Sequence, residues 1–293
     1  MSGKIEEQNQ KDYNSISPSA KSLLLMKGHT NIPYARQTAG LIQYPKDYKP
    51  DFKNRDMTFW ARTMHFENRY WSIDQLLSGL PITNILELSS GFSFRGLDIT
   101  RQNQSYYIDT DLPEVITTKK EFISTLKNNN IHSGKLELLP LNALDEKQFN
   151  EVVNRFPAGE IVILNEGLLM YLDNNEKETL LKIIHDILKE RGGYWITADI
   201  YLKNKQEKLN LNIDSKTKEF FEQHRLEDNK FESFEDAEAF FGKFGFVVDR
   251  EATVKRSKLS SMKYFRKCIS LRQLIKMRKA GKMQNTWRLK VEN

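Results

Sequence analysis

The chain has 293 residues, of which 39% are hydrophobic and 11% aromatic, enough apolar mass for one large folded domain or two small ones. No apolar run approaches the roughly 20 residues a bilayer span requires, and the N-terminus, MSGKIEEQNQKDYNS, has no signal-peptide core. The single cysteine, Cys268, excludes an internal disulfide and a cysteine-rich metal site, and with the missing signals points to a reducing cytoplasm.

The first 14 residues are polar and read as a disordered tail. A helix is expected from Ser17-Pro18-Ser19, since serine caps and proline suits a first turn, and it ends before Gly28. Another short helical segment is expected to begin at Asn31-Ile32-Pro33-Tyr34, then a Pro/Tyr/Lys-rich loop follows at 46–53. From 58 to 80, Phe59, Met64, Phe66, Tyr70, Ile73, Leu76 and Leu77 recur at helical spacing. Residues 15–80 therefore read as a helical cap ahead of the first strand.

Residues 84–88 form a short apolar run that reads as a buried strand, followed by the small residues Ser89, Ser90 and Gly91. After a crossover comes a strand at 105–108, followed by Asp109 and Asp111. Further strands are expected at 135–139, 161–164, 194–200, 245–250 and 286–291. Helices fall between them at 113–127, 148–155, 174–191 and 233–244. A charged, helical insertion is expected at 203–232 and one basic helix at 260–281. Strands alternating with helices indicate a doubly wound α/β fold with a mostly parallel seven-stranded sheet. Residues 15–293 read as one domain: cap to 80, α/β core over 81–252, then the basic helix and last strand.

Charge is unevenly placed. Residues 252–291 hold 13 Lys or Arg and no Asp or Glu, which leaves 32 basic and 39 acidic residues elsewhere, a net of −7. Such a segment suits nucleic acid, anionic lipid or an acidic protein surface, or else folds as a solvated face against the acidic body. No base-flipping or base-stacking motif accompanies it.

If the strands are parallel, Asp109, Asp111, Asn142, Glu166 and Asp199 lie along one sheet edge, where open α/β folds bind ligands. A glycine there lets backbone approach the ligand, and an acid accepts hydrogen bonds from ribose hydroxyls. Glu166 stands directly after a core strand, where a carboxylate is costly to bury without a partner. Tyr171 and Tyr201 follow two strands and are candidates for an acceptor pocket. His29, His65 and His132 fall in no metal-ligand spacing and read as structural or exposed.

The stretch Glu166-Gly167-Leu168-Leu169-Met170-Tyr171-Leu172 resembles the E-G-L-L-x-Y-L motif of the leucine carboxyl methyltransferase-like family of class I S-adenosylmethionine-dependent methyltransferases. Asp111-Leu112-Pro113-Glu114-Val115 resembles its D-x-P-x-V, residues 85–95 resemble its L-G-x-G-x-D-T-R, and residues 17–34 its N-terminal cap. The resemblance, over about 17–250, implies a Rossmann-like fold and methyl transfer from S-adenosylmethionine to a carboxylate or hydroxyl of a small-molecule or peptide acceptor.

It also implies roles for single residues. Leu88, Ser89 and Gly91 would face the methionine moiety, and Asp111, with Asp109 as competitor, the ribose. Asn142 and Ala143 would border the adenine, and Glu166 the amino or sulfonium end. Arg69 and the cap lysine Lys21 match cofactor-binding positions. Ser89 replaces the family's first glycine and Ser93 its aspartate. These departures keep open a second reading, a catalytically silent relative that binds through its basic segment.

Overall fold

A computed structural model describes residues 17–42, 55–126, 133–203 and 215–292. The expected tail at 1–14 and the loop at 46–53 lie outside these residues, as do His132 and residues 204–214 of the charged insertion. Seven strands form one sheet in the order β3-β2-β1-β4-β5-β7-β6. They are β1 (Asn84–Leu88), β2 (Tyr106–Asp111), β3 (Lys135–Pro140), β4 (Ile161–Asn165), β5 (Gly193–Tyr201), β6 (Phe246–Glu251) and β7 (Gln284–Val291). The first five are parallel, and β7 runs antiparallel to both of its neighbours, β5 and β6.

Side chains alternate across a strand, which is why the central strands can be apolar at every position. Leu86, Leu88, Ile161 and Ile163 point to one face, where they pack with Phe149, Leu180, Ile184 and Phe241. Ile85, Val162, Leu164 and Ile196 point to the other and meet Ile73 and Leu76. Helix α5 (Pro113–Thr125) links β2 to β3; the first face is covered by α6 (Glu146–Val153), α7 (Asn174–Arg191) and the helix Phe234–Gly242, the second by α3 (Met57–Leu77).

Local signals explain where elements begin and stop. Asp56 caps α3 by accepting from the Phe59 N–H at 2.9 Å, and Asp173 with Glu176 forms a capping box on α7. Gly193 is held at φ 108°, and a Cβ there would sit 2.0 Å from the Ile161 carbonyl oxygen, so only glycine lets β5 start beside β4.

Several expectations are corrected. The helices expected within 58–80 are a single helix of 21 residues, Met57–Leu77. The short segment after α1 (Ser17–Lys27) starts later than 31, as α2 (Ala35–Ala39). The β1–β2 crossover, left open between helix and loop by the sequence, is the helix α4 (Arg95–Gln102), and β2 runs past 108 through Asp111. The single basic helix expected at 260–281 is two, Met262–Cys268 and Leu271–Ala280. Ser270 accepts from the Gln273 N–H and Gln273 reaches back to the Ser270 N–H, a capping box that starts the second helix afresh.

Candidate functional site

A cavity of about 330 Å³ opens at the carboxyl ends of the parallel strands and is roofed by α1 and α3. Its floor is the turn after β1. Ser89 and Gly91 there have φ of 48° and 53°, the left-handed region that glycine enters freely and serine only at a cost. A Cβ on Gly91 would sit 3.4 Å from the Ala20 Cβ of the roof, filling the narrow space between turn and cap. The Gly91 N–H donates to Asp111 Oδ2 and the Leu112 N–H to Oδ1, each at 2.7 Å. Burial still pushes the Asp111 carboxyl above its ordinary range, with the two N–H groups opposing.

Ion pairs cluster at the opposite wall. Glu166 Oε1 lies 2.7 Å from Lys27 Nζ and 3.5 Å from Arg69 Nη2, and Oε2 lies 3.2 Å from Arg95 Nη2. Burial works against the Glu166 charge, but Lys27, Arg69 and Arg95 overcome it and hold the carboxyl below its usual range. Arg95 is also paired with Asp74 and lies 3.6 Å from Glu87, so its charge is balanced away from the cavity. Lys27 and Arg69 both line the cavity and share the Glu166 carboxylate, and Asp199 is a second carboxylate acting on Arg69.

Arg69 Nη1 donates to the Tyr201 hydroxyl at 2.9 Å, and that oxygen lies 2.7 Å from His65 Nε2. Arginine only donates, so the Tyr201 oxygen accepts from Arg69, and its contact with His65 Nε2 runs in the direction set by the imidazole tautomer. Burial, with Arg69 nearby, brings the His65 pKa down to about 3, so the ring is neutral. Arg69 Nε and Nη2 make no hydrogen bond among the described residues.

The expected site residues separate into two groups. Arg69, Ser89, Gly91, Asp111, Asn142, Ala143 and Glu166 line the one cavity. Lys21, Leu88 and Asp109 are not among its lining residues. Lys27 rather than Lys21 lines the cavity, because Ala20, Leu24 and Lys27 form the i, i+4, i+7 stripe that α1 turns inward. Leu88 points into the core among Leu86 and Ile163. Asp109 lies inside β2, two residues short of its end, and is spent on an ion pair with Lys119 Nζ at 2.6 Å; Ser90 also donates to it. Asp199 accepts the N–H groups of Gly167, Leu168 and Leu169 and so shapes the turn after β4. Tyr171 and Tyr201 both reach the cavity, as does His65, which sequence reasoning left outside the site.

No family model matches this chain, and no match was found among curated proteins. Among solved structures, a duf574 family protein from Streptomyces avermitilis superposes with a TM-score of 0.54 at 11% identity, over 92% of this chain and 97% of that one. The methyltransferase domain of bacterial CtHen1-C gives 0.52 at 12% identity, over 78% of this chain and 100% of that one. The fold is that of the class I methyltransferases. A third structure, LaPhzM, gives a TM-score of 0.45 at 10% identity over 80% of this chain, which spans 57% of the LaPhzM length.

Proposed function

We propose that this chain is an S-adenosylmethionine-dependent O-methyltransferase, close in kind to the leucine carboxyl methyltransferase-like enzymes. The observation that carries the reading is the convergence of Arg69, the turn at 89–91, Asp111, Asn142 and Glu166 on one cavity. The donor set suits the cofactor. Arg69 has two buried N–H-bearing nitrogens without hydrogen bonds, which a ligand carboxylate would satisfy. Each Asp111 oxygen takes one backbone N–H and keeps a lone pair for a ribose hydroxyl. Asn142 and Ala143 would border the base.

When bound, the cofactor supplies a methyl group on a sulfonium. The chain's own work is to hold an acceptor oxygen in line with that methyl and keep water out. Tyr171, Phe220 and Met283 give the remaining cavity wall an apolar surface, while Arg62 and Arg256 add positive charge. That charge favours a carboxylate acceptor, which is already ionised near neutral pH and needs no base. A hydroxyl acceptor would need one. His65 is a poor choice, with its Nε2 engaged by Tyr201 and its conjugate acid strong.

Calorimetric titration with S-adenosylhomocysteine tests the cofactor reading. Binding is expected, and Arg69→Ala should weaken it by about tenfold or more. No binding at millimolar ligand would remove the enzyme reading and leave the silent relative. Label transferred from methyl-labelled cofactor should be released as methanol in mild base, as a methyl ester releases it; base-stable label would assign a hydroxyl acceptor.

A further inference from the structure

The large hydrophobic side chains exposed among the described residues are Tyr264, Leu271 and Ile275, and all three fall in the basic C-terminal segment. Leu271 is 74% exposed, Ile275 46% and Tyr264 36%, so aliphatic surface stands in water where the chain is otherwise densest in positive charge. Leu271 and Ile275 are four apart on the ten-residue helix Leu271–Ala280 and share its outer face. Arg272, Lys276 and Lys279 form the adjoining exposed stripe. The preceding helix adds exposed Lys263, Arg266 and Lys267. On the inner side, Met277 packs against the cluster of Phe59, Trp60 and Phe265, so the helix is seated on the body by one face only.

We propose that this surface docks on an anionic lipid bilayer, with the basic side chains at the headgroups and Leu271 and Ile275 inserted at the acyl boundary. Charge selects an anionic partner, and the exposed aliphatic pair selects among anionic partners. Nucleic acid would use the positive charge but has no apolar site for leucine and isoleucine. Base stacking calls for open aromatic faces, whereas Tyr264 is stacked on Trp60 at a centroid distance of 4.5 Å and approached by Lys263 Nζ at 4.8 Å. Arg256, Met277 and Gly281 of the same segment line the cavity. Met277 does so from the face opposite Leu271 and Ile275, so the docking helix is also part of the cavity wall. The docking itself does not rest on the methyl-transfer reading.

The test is co-sedimentation of the full chain with phosphatidylcholine vesicles, with and without phosphatidylserine. Binding is expected only with phosphatidylserine present, and it should weaken as salt is raised. Combined Leu271→Ser and Ile275→Ser should reduce vesicle affinity about tenfold or more while leaving the melting temperature unchanged, because both side chains are exposed. Failure to bind phosphatidylserine vesicles would overturn the proposal, as would undiminished binding by the double variant. A short RNA that binds wild type and double variant equally, and displaces the wild type from vesicles, would assign the surface to nucleic acid and overturn it as well.

Discussion

Arg69 donates to the Tyr201 hydroxyl across 2.9 Å, and that one bond joins the cap helix α3 to the end of β5 over the cavity. Tyr201 in turn contacts His65 on the same helix, one turn earlier. Removing the hydroxyl by Tyr201→Phe leaves a guanidinium N–H and a ring nitrogen buried without partners. The expected loss is about 1–3 kcal/mol of stability, read from urea denaturation; an unchanged midpoint would show that water replaces the hydroxyl.

The same contact predicts a pH dependence. The His65 pKa is about 3 in the folded chain, below its ordinary 6.5, because burial disfavours the imidazolium. Between these values the unfolded chain binds a proton that the folded chain refuses. Stability contributed by neutral His65 is therefore full above pH 6.5 and declines on acidification towards pH 3, by about 1.4 kcal/mol per unit. Replacing the ring by His65→Gln should flatten that part of the profile. Parallel wild-type and variant profiles of denaturation midpoint against pH would contradict the assignment.

Asp109 and Asp111 should behave oppositely. Asp109→Asn leaves Lys119 buried without its counter-ion and is expected to cost about 3–5 kcal/mol of stability. Asp111→Asn should cost less, since the side-chain oxygen can still accept a backbone N–H, yet weaken cofactor binding. Chemical denaturation and calorimetry on both variants separate the roles, and a swap of the two outcomes would reverse them.

Ser89 occupies a glycine-like backbone conformation. Ser89→Gly removes the steric cost at φ 48° but loosens the unfolded chain, for an expected net gain of about 0.5–1 kcal/mol. A lower melting temperature in the variant would show that the serine side chain contributes more than the strain costs.

Glu67 on α3 accepts the backbone N–H and the hydroxyl of both Ser260 and Ser261, at 2.5–2.9 Å. This carboxylate anchors the basic segment to the cap. Glu67→Ala should release the segment, and limited trypsin digestion should then cut early at the lysines and arginines of 255–267. Cleavage at the wild-type rate would mean that the apolar packing of Leu259 and Phe265 is anchor enough.

The centre of the sheet was legible because β1 and β4 are short, mostly apolar runs closed by turn residues, with β1 at 84–88 recovered to the residue. The motifs at 111–115 and 166–172 located two walls of the cavity. What stayed hidden depends on phase and on distant partners. Lys21 and Lys27 are equally plausible cap lysines by composition, and only the helical phase of α1 turns Lys27 to Glu166. Asp109 and Asp111 share a strand face, and one residue pair of strand length decides which meets Lys119. His65 looked unremarkable because its partner is 136 positions away. The break at Ser270 carries a legible signal, Ser270 followed three residues later by Gln273, inside a segment that its scattered basic residues otherwise make read as one helix.

β7 comes last in the chain yet lies between β5 and β6, and it is the strand that β6 pairs with. Until it is synthesised and slotted in, β5 has a bare edge and β6 no place in the sheet. Trp287 and Leu289 are likewise missing from the main core until then. The sheet is thus completed late, by contacts far apart in sequence, the kind that slow folding most. A nascent chain halted before Gln284 should remain protease-sensitive throughout 234–251, a consequence that pulse proteolysis of stalled chains would reveal.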